Sequence, residues 1–455
     1  MRILLLTPLI GVPKTEPPLG LCYIQACLDK AGYTDSNIVD IYDSYEEIKK
    51  IIEDYDPDIV GISCFTTYRN SSFKLAKLAK EIKPDIKVVL GGPHATFMWE
   101  QIMKNFPSVD FIVIGEGEIT MVELVKVLDK GLSLKKVKGI VFRNNGKIIK
   151  TEPRPLIKNL DELPFPSYRN MNLEKYAIPT PPTLTTKEVK ANLITSRGCP
   201  FGCTFCSTTQ FWGRFWRPRS AKNVVDELEW LNKEYGVKFF SFSDDVFSVN
   251  QQRVIDICKE IIKRNLKIKW FTETRVDCVS KEMLEWMKKA GCYMLEFGVE
   301  SGSPRIIKNI NKMITLEQIR NAFKWAREVG LETEILLMIG NPEESWETIN
   351  ETKKLLDEAK PDIIIVSLTH IFPATQLYEL AKQKGLINDD YWLTDKTIPE
   401  YTADNSLKKL VKMRLDLVRY FYRNKGRLSF TKYVIGQIKK NPKVLLDHVK
   451  AFLGR

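Results

Sequence analysis

No run of 18 apolar residues occurs in the 455-residue chain, which excludes a membrane-spanning helix. No secretory signal is expected: the apolar start Met1-Arg2-Ile3-Leu4-Leu5-Leu6 ends at Thr7-Pro8, too short for a signal core. Histidine is scarce, limited to His94, His370 and His448, and no side chain reads clearly as a general acid or base. Acids all but vanish from residue 408 onward, where Asp416 and Asp447 stand against 14 Lys and Arg. That excess of +12 equals the net charge of the whole chain, so residues 1–407 sum to zero. A basic balance confined to one end belongs to that end and not to the fold. The nine cysteines are an odd number, and a disulfide framework would need an oxidising compartment. Cys22, Cys27, Cys64, Cys258, Cys278 and Cys292 fall mostly in apolar or helical patterns, as small buried hydrophobes do. What is present is a globular composition, 44% hydrophobic and 28% charged, long enough for two or three domains. The expected compartment is a reducing cytoplasm.

The other three cysteines, Cys199, Cys203 and Cys206, form C-x3-C-x2-C after the apolar run Ala191–Thr195 and a flexible Arg197-Gly198 step. Iron–sulfur clusters are held by cysteine thiolates, and a cubane normally takes four. Three from one loop leave an iron open to a ligand that is not protein. Two other readings stay open at this point. A zinc site would need a fourth nearby ligand and usually spaces its ligand pairs farther apart. A disulfide pair would need oxidising surroundings. The motif, with Phe205 before its third cysteine, resembles the signature of the radical S-adenosylmethionine (radical SAM) enzymes. That resemblance implies a [4Fe-4S] cluster on Cys199, Cys203 and Cys206, with S-adenosyl-L-methionine chelated at the open iron. It also implies a 5′-deoxyadenosyl radical and an electron donor of ferredoxin or flavodoxin type.

In the first 135 residues short apolar runs alternate with helical patterns. Strands are expected at Arg2–Thr7, Ile38–Tyr42, Ile59–Cys64, Val88–Leu90 and Phe111–Ile114, with helices such as Leu19–Lys30, Ser71–Ile82 and Ile119–Leu128 between them. Continuous Val/Ile/Leu runs suit parallel strands buried on both faces, and the alternation predicts a Rossmann-like, doubly wound α/β domain. Ligands of such sheets sit beyond the carboxyl ends of the strands. The loops there are Pro17–Leu21, Ser63-Cys64-Phe65-Thr66-Thr67, Gly91-Gly92-Pro93-His94-Ala95-Thr96 and Gly115-Glu116-Gly117-Glu118. They resemble the cobalamin-binding domain in front of many radical SAM modules. The resemblance implies that Ser63, Thr67, Gly91, Gly92, His94, Gly115 and Glu116 contact cobalamin. The D-x-H-x-x-G of many such domains is missing around Asp40–Asp43, so cobalamin would bind without a histidine below the cobalt. His94 reads as a loop hydrogen-bonder. The competing reading is a domain that only shapes the active site.

Residues 136–188 read as a hairpin, marked by Asn145-Gly146 between apolar runs, followed by a linker holding seven of the 23 prolines. From 189 to 385 alternation resumes. Strands are expected at Asn192–Thr195, Phe239–Ser243, Lys269–Thr274, Tyr293–Val299, Glu334–Ile339 and Ile363–Leu368. Helices are expected at Ala221–Glu234, Gln251–Lys263, Lys281–Lys289, Leu316–Val329 and Ser345–Glu358. Six such repeats match the partial (β/α)6 barrel of radical SAM enzymes, whose chemistry sits at strand carboxyl ends. By that resemblance Asp244 and Asp245 end the strand that holds the amino group of S-adenosyl-L-methionine. Glu300 and Ser301 become ribose and amine partners, and Gly340 backs the adenine. A helix cap by Asp245 or Ser248 is the plainer alternative, and for Arg275 a surface ion pair.

Residues 386–455 form a basic helical region. Leu410, Val411, Leu417, Val418 and Phe421 keep helical spacing among Lys409, Lys412, Arg419 and Arg423, and Val444, Leu445, Val449 and Phe452 repeat it. Such a helix packs across the barrel, lies on an anionic membrane face, or, least favoured, meets nucleic acid. The leading expectation is a cobalamin-dependent radical methyltransferase acting on an unactivated carbon of a small-molecule or lipid substrate. Radical cyclisation or C–C bond formation, RNA modification and a non-catalytic cobalamin or cluster sensor are the alternatives.

Overall fold

Strands rich in Val, Ile and Leu on both faces need cover on both sides, and two parallel sheets flanked by helices supply it. The structure, a computed structural model, describes residues 1–9, 16–40, 44–176 and 189–424. The first sheet runs β1 (Ile3–Leu6), β2 (Ser36–Val39), β3 (Ile59–Ser63), β4 (Lys87–Gly91), β5 (Phe111–Val113), β6 (Ile140–Asn144) and β7 (Lys147–Lys150). Its order is β2-β1-β3-β4-β5-β6-β7, parallel through β5 and antiparallel beyond. The winding reverses beside β1, which opens a crevice at the carboxyl ends of β1 and β3. The hairpin expected with the linker is instead the antiparallel edge of this sheet, because β6 pairs directly with β5.

The second sheet holds β8 (Lys190–Leu193), β9 (Phe239–Phe242), β10 (Lys269–Thr274), β11 (Cys292–Glu300), β12 (Glu332–Ile339) and β13 (Ile363–Leu368). All are parallel and lie in chain order, and β8 and β13 remain its two edges. This is the open, partial barrel. Side-chain caps start its helices: Ser220, Asn250, Ser280, Thr315 and Ser345 each accept from the backbone N–H three residues on. One hydrophobic core joins the sheets, from Leu5, Tyr23 and Val113 to Leu193, Phe240 and Phe297. Cys22, Cys258 and Cys292 lie inside it.

The proline-rich segment is a structured strap where it is described. Tyr168 is buried beside Trp230 and Tyr235, and Arg169 pairs with Asp29 at 3.1 Å. The region after 386 also departs from a simple helical tail. Trp392 is fully buried, and the Arg69 side chain of the first domain donates to the carbonyls of Trp392 (3.0 Å) and Thr394 (2.9 Å). The helix Leu407–Asn424 then packs across the second sheet, burying Leu410, Met413, Leu417 and Phe421. Asp416 meets Lys353 at 2.5 Å. Val444, Leu445, Val449 and Phe452 lie outside the described residues.

Candidate functional site

The three-cysteine loop leaves β8 through a two-residue ribbon, Ser196–Arg197 against Arg217–Pro218. Gly198 has φ +90, and a Cβ there would overlap the Phe215 carbonyl, so the turn requires glycine. The backbone then anchors outward: Thr204 N–H donates to the Ile310 carbonyl (3.0 Å), and the Asn311 amide donates to the Gly202 carbonyl (2.7 Å). Cys199, Cys203 and Cys206 are free and partly exposed. Among the described residues no three His, Cys, Asp or Glu side chains converge as ligands of one metal ion. A cubane takes each thiolate on a different iron, so this loop suits a cluster better than zinc. Burial pushes the Cys203 thiol up, while the charges of Lys312 and Arg275 pull it down. The Arg275 guanidinium lies 3.9 Å from the Cys203 sulfur. Two buried cations beside a thiolate ligand fit an anionic cluster. Phe205 packs against the cluster of Leu377, Tyr378 and Trp392.

The carboxylates singled out at the strand ends face different ways. Asp244 is buried and accepts from Thr195 N–H (2.6 Å), Thr195 Oγ1 (2.5 Å) and Ser196 Oγ (2.7 Å), so it pins the start of the cysteine loop. Asp245 opens to the cavity described below and accepts from Gly198 N–H at 3.0 Å. Neither caps the next helix, and nor does Ser248: Asn250 does. Arg275 is not a surface pair. It is buried, holds Asp277 through two 2.9 Å contacts, and stacks on Phe201. Glu300 sits at φ +70 after a register shift in β11 and pairs with buried Lys312 at 2.9 Å. A non-glycine residue in that region carries about 1–3 kcal/mol of strain, of the kind found at binding sites. Ser301 Oγ accepts from Ser303 N–H at 3.1 Å. Gly340, at φ +99, leaves room for Leu410 of the C-terminal helix, which a Cβ would approach to 3.0 Å.

Between the carboxyl ends of the two sheets lies a cavity of about 580 Å³. All four strand-end loops of the first domain reach it, through Pro17, Ser63, Gly91, Gly92, Gly115 and Glu116. The second domain contributes Asn192, Ser243, Asp245, Phe211 and Trp212. Gly20 and Gly115 have no atom within 4 Å of where a Cβ would stand, so the backbone there opens directly onto free space. A mostly apolar cavity with a bare glycine ledge fits a flat, bulky cofactor such as cobalamin. His94 is not on the cavity wall: it is buried, its Nδ1 lies 3.2 Å from Thr66 Oγ1, and burial together with the Arg69 charge lowers its pKa to about 3. Thr67 lines a smaller neighbouring cavity of about 190 Å³ with Phe65, Phe97 and Phe372.

Two features of this site were not singled out from the sequence. The first joins the domains at the cavity wall. Arg197 donates to Glu116 (2.7 Å) and Glu118 (2.5 Å), and Arg217 holds Glu116 at 3.0 Å. The Glu116 carboxylate also accepts from Ile157 N–H, so it serves as an anchor as well as a lining group. The second is an acid ladder inside the barrel. Glu273, Glu296 and Glu334 are direct register partners on β10, β11 and β12, and Glu16 approaches them from the first domain. Like charges directly opposite repel, so these carboxyls share protons. Burial and the neighbouring Glu273 push Glu296 up to about 9. A carboxyl whose pKa is raised in the fold stabilises it fully at low pH and loses that contribution as pH rises. The urea midpoint should therefore fall between about pH 5 and pH 9. Glu296→Gln should flatten that slope, and an unchanged slope would show that the ladder does not govern it.

The comparisons with known proteins agree with this geometry. Residues 8–125 match the B12 binding domain and residues 193–356 the Radical SAM superfamily. The uncharacterized methyltransferase PH0819 of Pyrococcus horikoshii is 38% identical over 88% of this chain and 87% of its own. The anaerobic magnesium-protoporphyrin IX monomethyl ester cyclase of Rubrivivax gelatinosus is 32% identical over 100% of this chain and 82% of its own. The fold is shared with the radical S-adenosylmethionine methyltransferase TsrM from Kitasatospora setae, solved with cobalamin and a [4Fe-4S] cluster bound (TM-score 0.72, 18% identity, 85% of this chain, 79% of that one). It is shared too with the cobalamin-dependent radical enzyme OxsB (TM-score 0.68, 24% identity, 90% of this chain, 57% of that one). The Radical SAM domain brings S-adenosyl-L-methionine and the [4Fe-4S] cluster, and the B12-binding domain brings cobalamin. The chain belongs to the cobalamin-dependent radical SAM enzymes.

Proposed function

We propose that this protein methylates an unactivated carbon of a small-molecule or lipid substrate. The observation that carries the reading is the cavity between the two sheets, walled by the bare glycine ledge on one side and the cysteine loop's neighbours on the other. The bound groups would supply a 5′-deoxyadenosyl radical and a transferable methyl group, while the protein orients them and excludes water. Cys199, Cys203 and Cys206 would hold the cluster. Asp245, the strand-end carboxylate facing the cavity, would meet the amino group of S-adenosyl-L-methionine, with Glu300 and Ser301 at the same mouth. Ser63, Gly91, Gly92 and Gly115 would carry the corrin. Arg197 and Glu116 fix the distance between the two halves.

The test is anaerobic reconstitution with iron, sulfide and hydroxocobalamin, followed by S-adenosyl-L-methionine carrying a deuterated methyl group and a membrane-lipid extract. Expected are retained corrinoid, 5′-deoxyadenosine and a product heavier by the labelled methyl. Failure to retain corrinoid would defeat the methylation reading. The similarity to a cyclase over the full chain supports a second reading, radical ring closure. It predicts 5′-deoxyadenosine with no labelled methyl in the product.

A further inference from the structure

The inner face of the partial barrel is acidic where a barrel core is normally apolar. Phe239, Phe271 and Met294 close its floor, with Tyr293 and Ile363 packed beside them. Side chains two residues apart share a strand face, so Glu273 stands one layer above Phe271 and Glu296 one layer above Met294. Glu273 is open to solvent and yet desolvated by the protein around it, the combination that marks the wall of a lumen. Ile365, one layer above Ile363, is likewise 41% exposed. Glu16 joins this lumen to the cavity between the two sheets: it lines that cavity, and the Asn192 amide donates to it at 3.3 Å. Asn192 lines the same cavity, is only 4% exposed, and its Oδ1 has no hydrogen-bond partner among the described residues. Lys312, the cation that Glu273 feels, is already held by Glu300 at 2.9 Å. A Cβ on Gly298 would come within 3.1 Å of both members of that pair, so the pair stands at the level of Gly298, about 7 Å above Glu296. Among the described residues no three acids converge as ligands of one metal ion. Burial, and after it the charge of a neighbouring acid, raises the pKa of Glu16, Glu273 and Glu296. An organic cation would relieve that repulsion and bring N–H donors to carboxyls and an amide oxygen that all accept.

We infer that the lumen below the cavity receives an ammonium group of the substrate, held by Glu16, Glu273 and Glu296, with Asn192 Oδ1 as a further acceptor. The inference rests on the methylation reading for what is done to that substrate, and it narrows the substrate to an amine whose reacting carbon stays in the cavity above. The three acids select the amine over a neutral analogue and orient it. None of them makes or breaks a bond.

The probes are n-hexylamine and n-hexanol, titrated by calorimetry into the full-length protein reconstituted with iron, sulfide and hydroxocobalamin. Physiological salt screens attraction to surface charges. Hexylamine should bind at a single site at least about tenfold more tightly than hexanol. Glu296→Gln and Glu273→Gln should each weaken hexylamine by about tenfold or more and leave hexanol unchanged. Both variants remove like-charge repulsion, so their urea midpoints near neutral pH should hold or rise. Glu53→Gln/Asp54→Asn, an exposed acidic pair on the helix Tyr45–Tyr55, should bind as wild type does. Equal affinity for the two probes, unchanged hexylamine binding in both single variants, or an equal loss in the surface pair would each overturn the proposal. So would a loss of binding found only together with loss of the fold. Competition between hexylamine and S-adenosyl-L-methionine would overturn it too, by giving the acids to that molecule instead. A protein that binds hexylamine as expected but retains no corrinoid would defeat the methylation reading while the ammonium site stands.

Discussion

Replacing Cys203 with alanine should abolish both the cluster and 5′-deoxyadenosine release while leaving the polypeptide folded. Cys203 is one of the three cysteines of the loop, and a cluster left with two protein ligands is not retained. The fold does not rely on that sulfur. The loop is anchored by the backbone bonds of Thr204 and Gly202, and Cys203 is only partly buried. Its cationic neighbours keep their own partners, Asp277 for Arg275 and Glu300 for Lys312. The urea midpoint of the metal-free variant should therefore match metal-free wild type within about 0.5 kcal/mol. Iron should fall to background, and the visible absorbance of the cluster should vanish. Cys258→Ala is the contrasting case. That thiol is fully buried in the core, so its loss should cost about 1 kcal/mol and leave iron content intact. A Cys203→Ala protein that still binds iron stoichiometrically would remove the loop from the cluster.

The difference in burial between these two cysteines is legible in the sequence, because spacing and neighbours carry it. Helix boundaries were legible for the same reason. Gln251–Lys263, Lys281–Lys289 and Leu316–Val329 fall at the residues expected, each preceded by a cap whose chemistry is local: Asn250, Ser280 and Thr315. Direction is not local, and there the sequence is silent. Asp244 and Asp245 are adjacent acids just past one strand end, where the first turns back to Thr195 and the second opens to the cavity. The acid ladder is hidden in the same way. Glu273, Glu296 and Glu334 lie far apart in the chain, and only the register of β10, β11 and β12 lines them up. A signal was available for one of them: Glu296 is the lone acid at the middle of the expected strand Tyr293–Val299, where a buried barrel would carry an apolar residue. The C-terminal helix shows the limit of charge counting. Its basic residues left packing across the barrel, a membrane face and nucleic acid open, and up to Tyr422 its apolar stripe is buried on the second sheet.

The second large effect should come from Arg197, at the contact between the halves. Its guanidinium is buried between the faces of Tyr23 and Trp212 and bridges Glu116 and Glu118, at the start of the helix Gly117–Asp129 that follows β5. Arg197→Ala would leave Glu118 buried without its cation, while Glu116 keeps Arg217. Breaking a buried pair from one side typically costs about 3–5 kcal/mol, because the stranded charge remains desolvated. The expected outcome is a large drop in the urea midpoint, with a smaller one for Arg217→Ala. Removing both partners tests the cause. When a buried pair is replaced by apolar groups of similar size, stability is often unchanged or improved. Arg197→Met/Glu118→Met should therefore recover most of what Arg197→Met alone loses, whereas additive losses would mean that packing against Tyr23 and Trp212 dominates, not charge. The double variant also separates stability from function. Arg197 directly precedes Gly198 and Cys199, so a refolded protein without the bridge should still bind its cluster and release 5′-deoxyadenosine. Its yield of methylated product per 5′-deoxyadenosine should fall, because Arg217 alone then ties Glu116 of the glycine ledge to the ribbon that carries the cysteine loop.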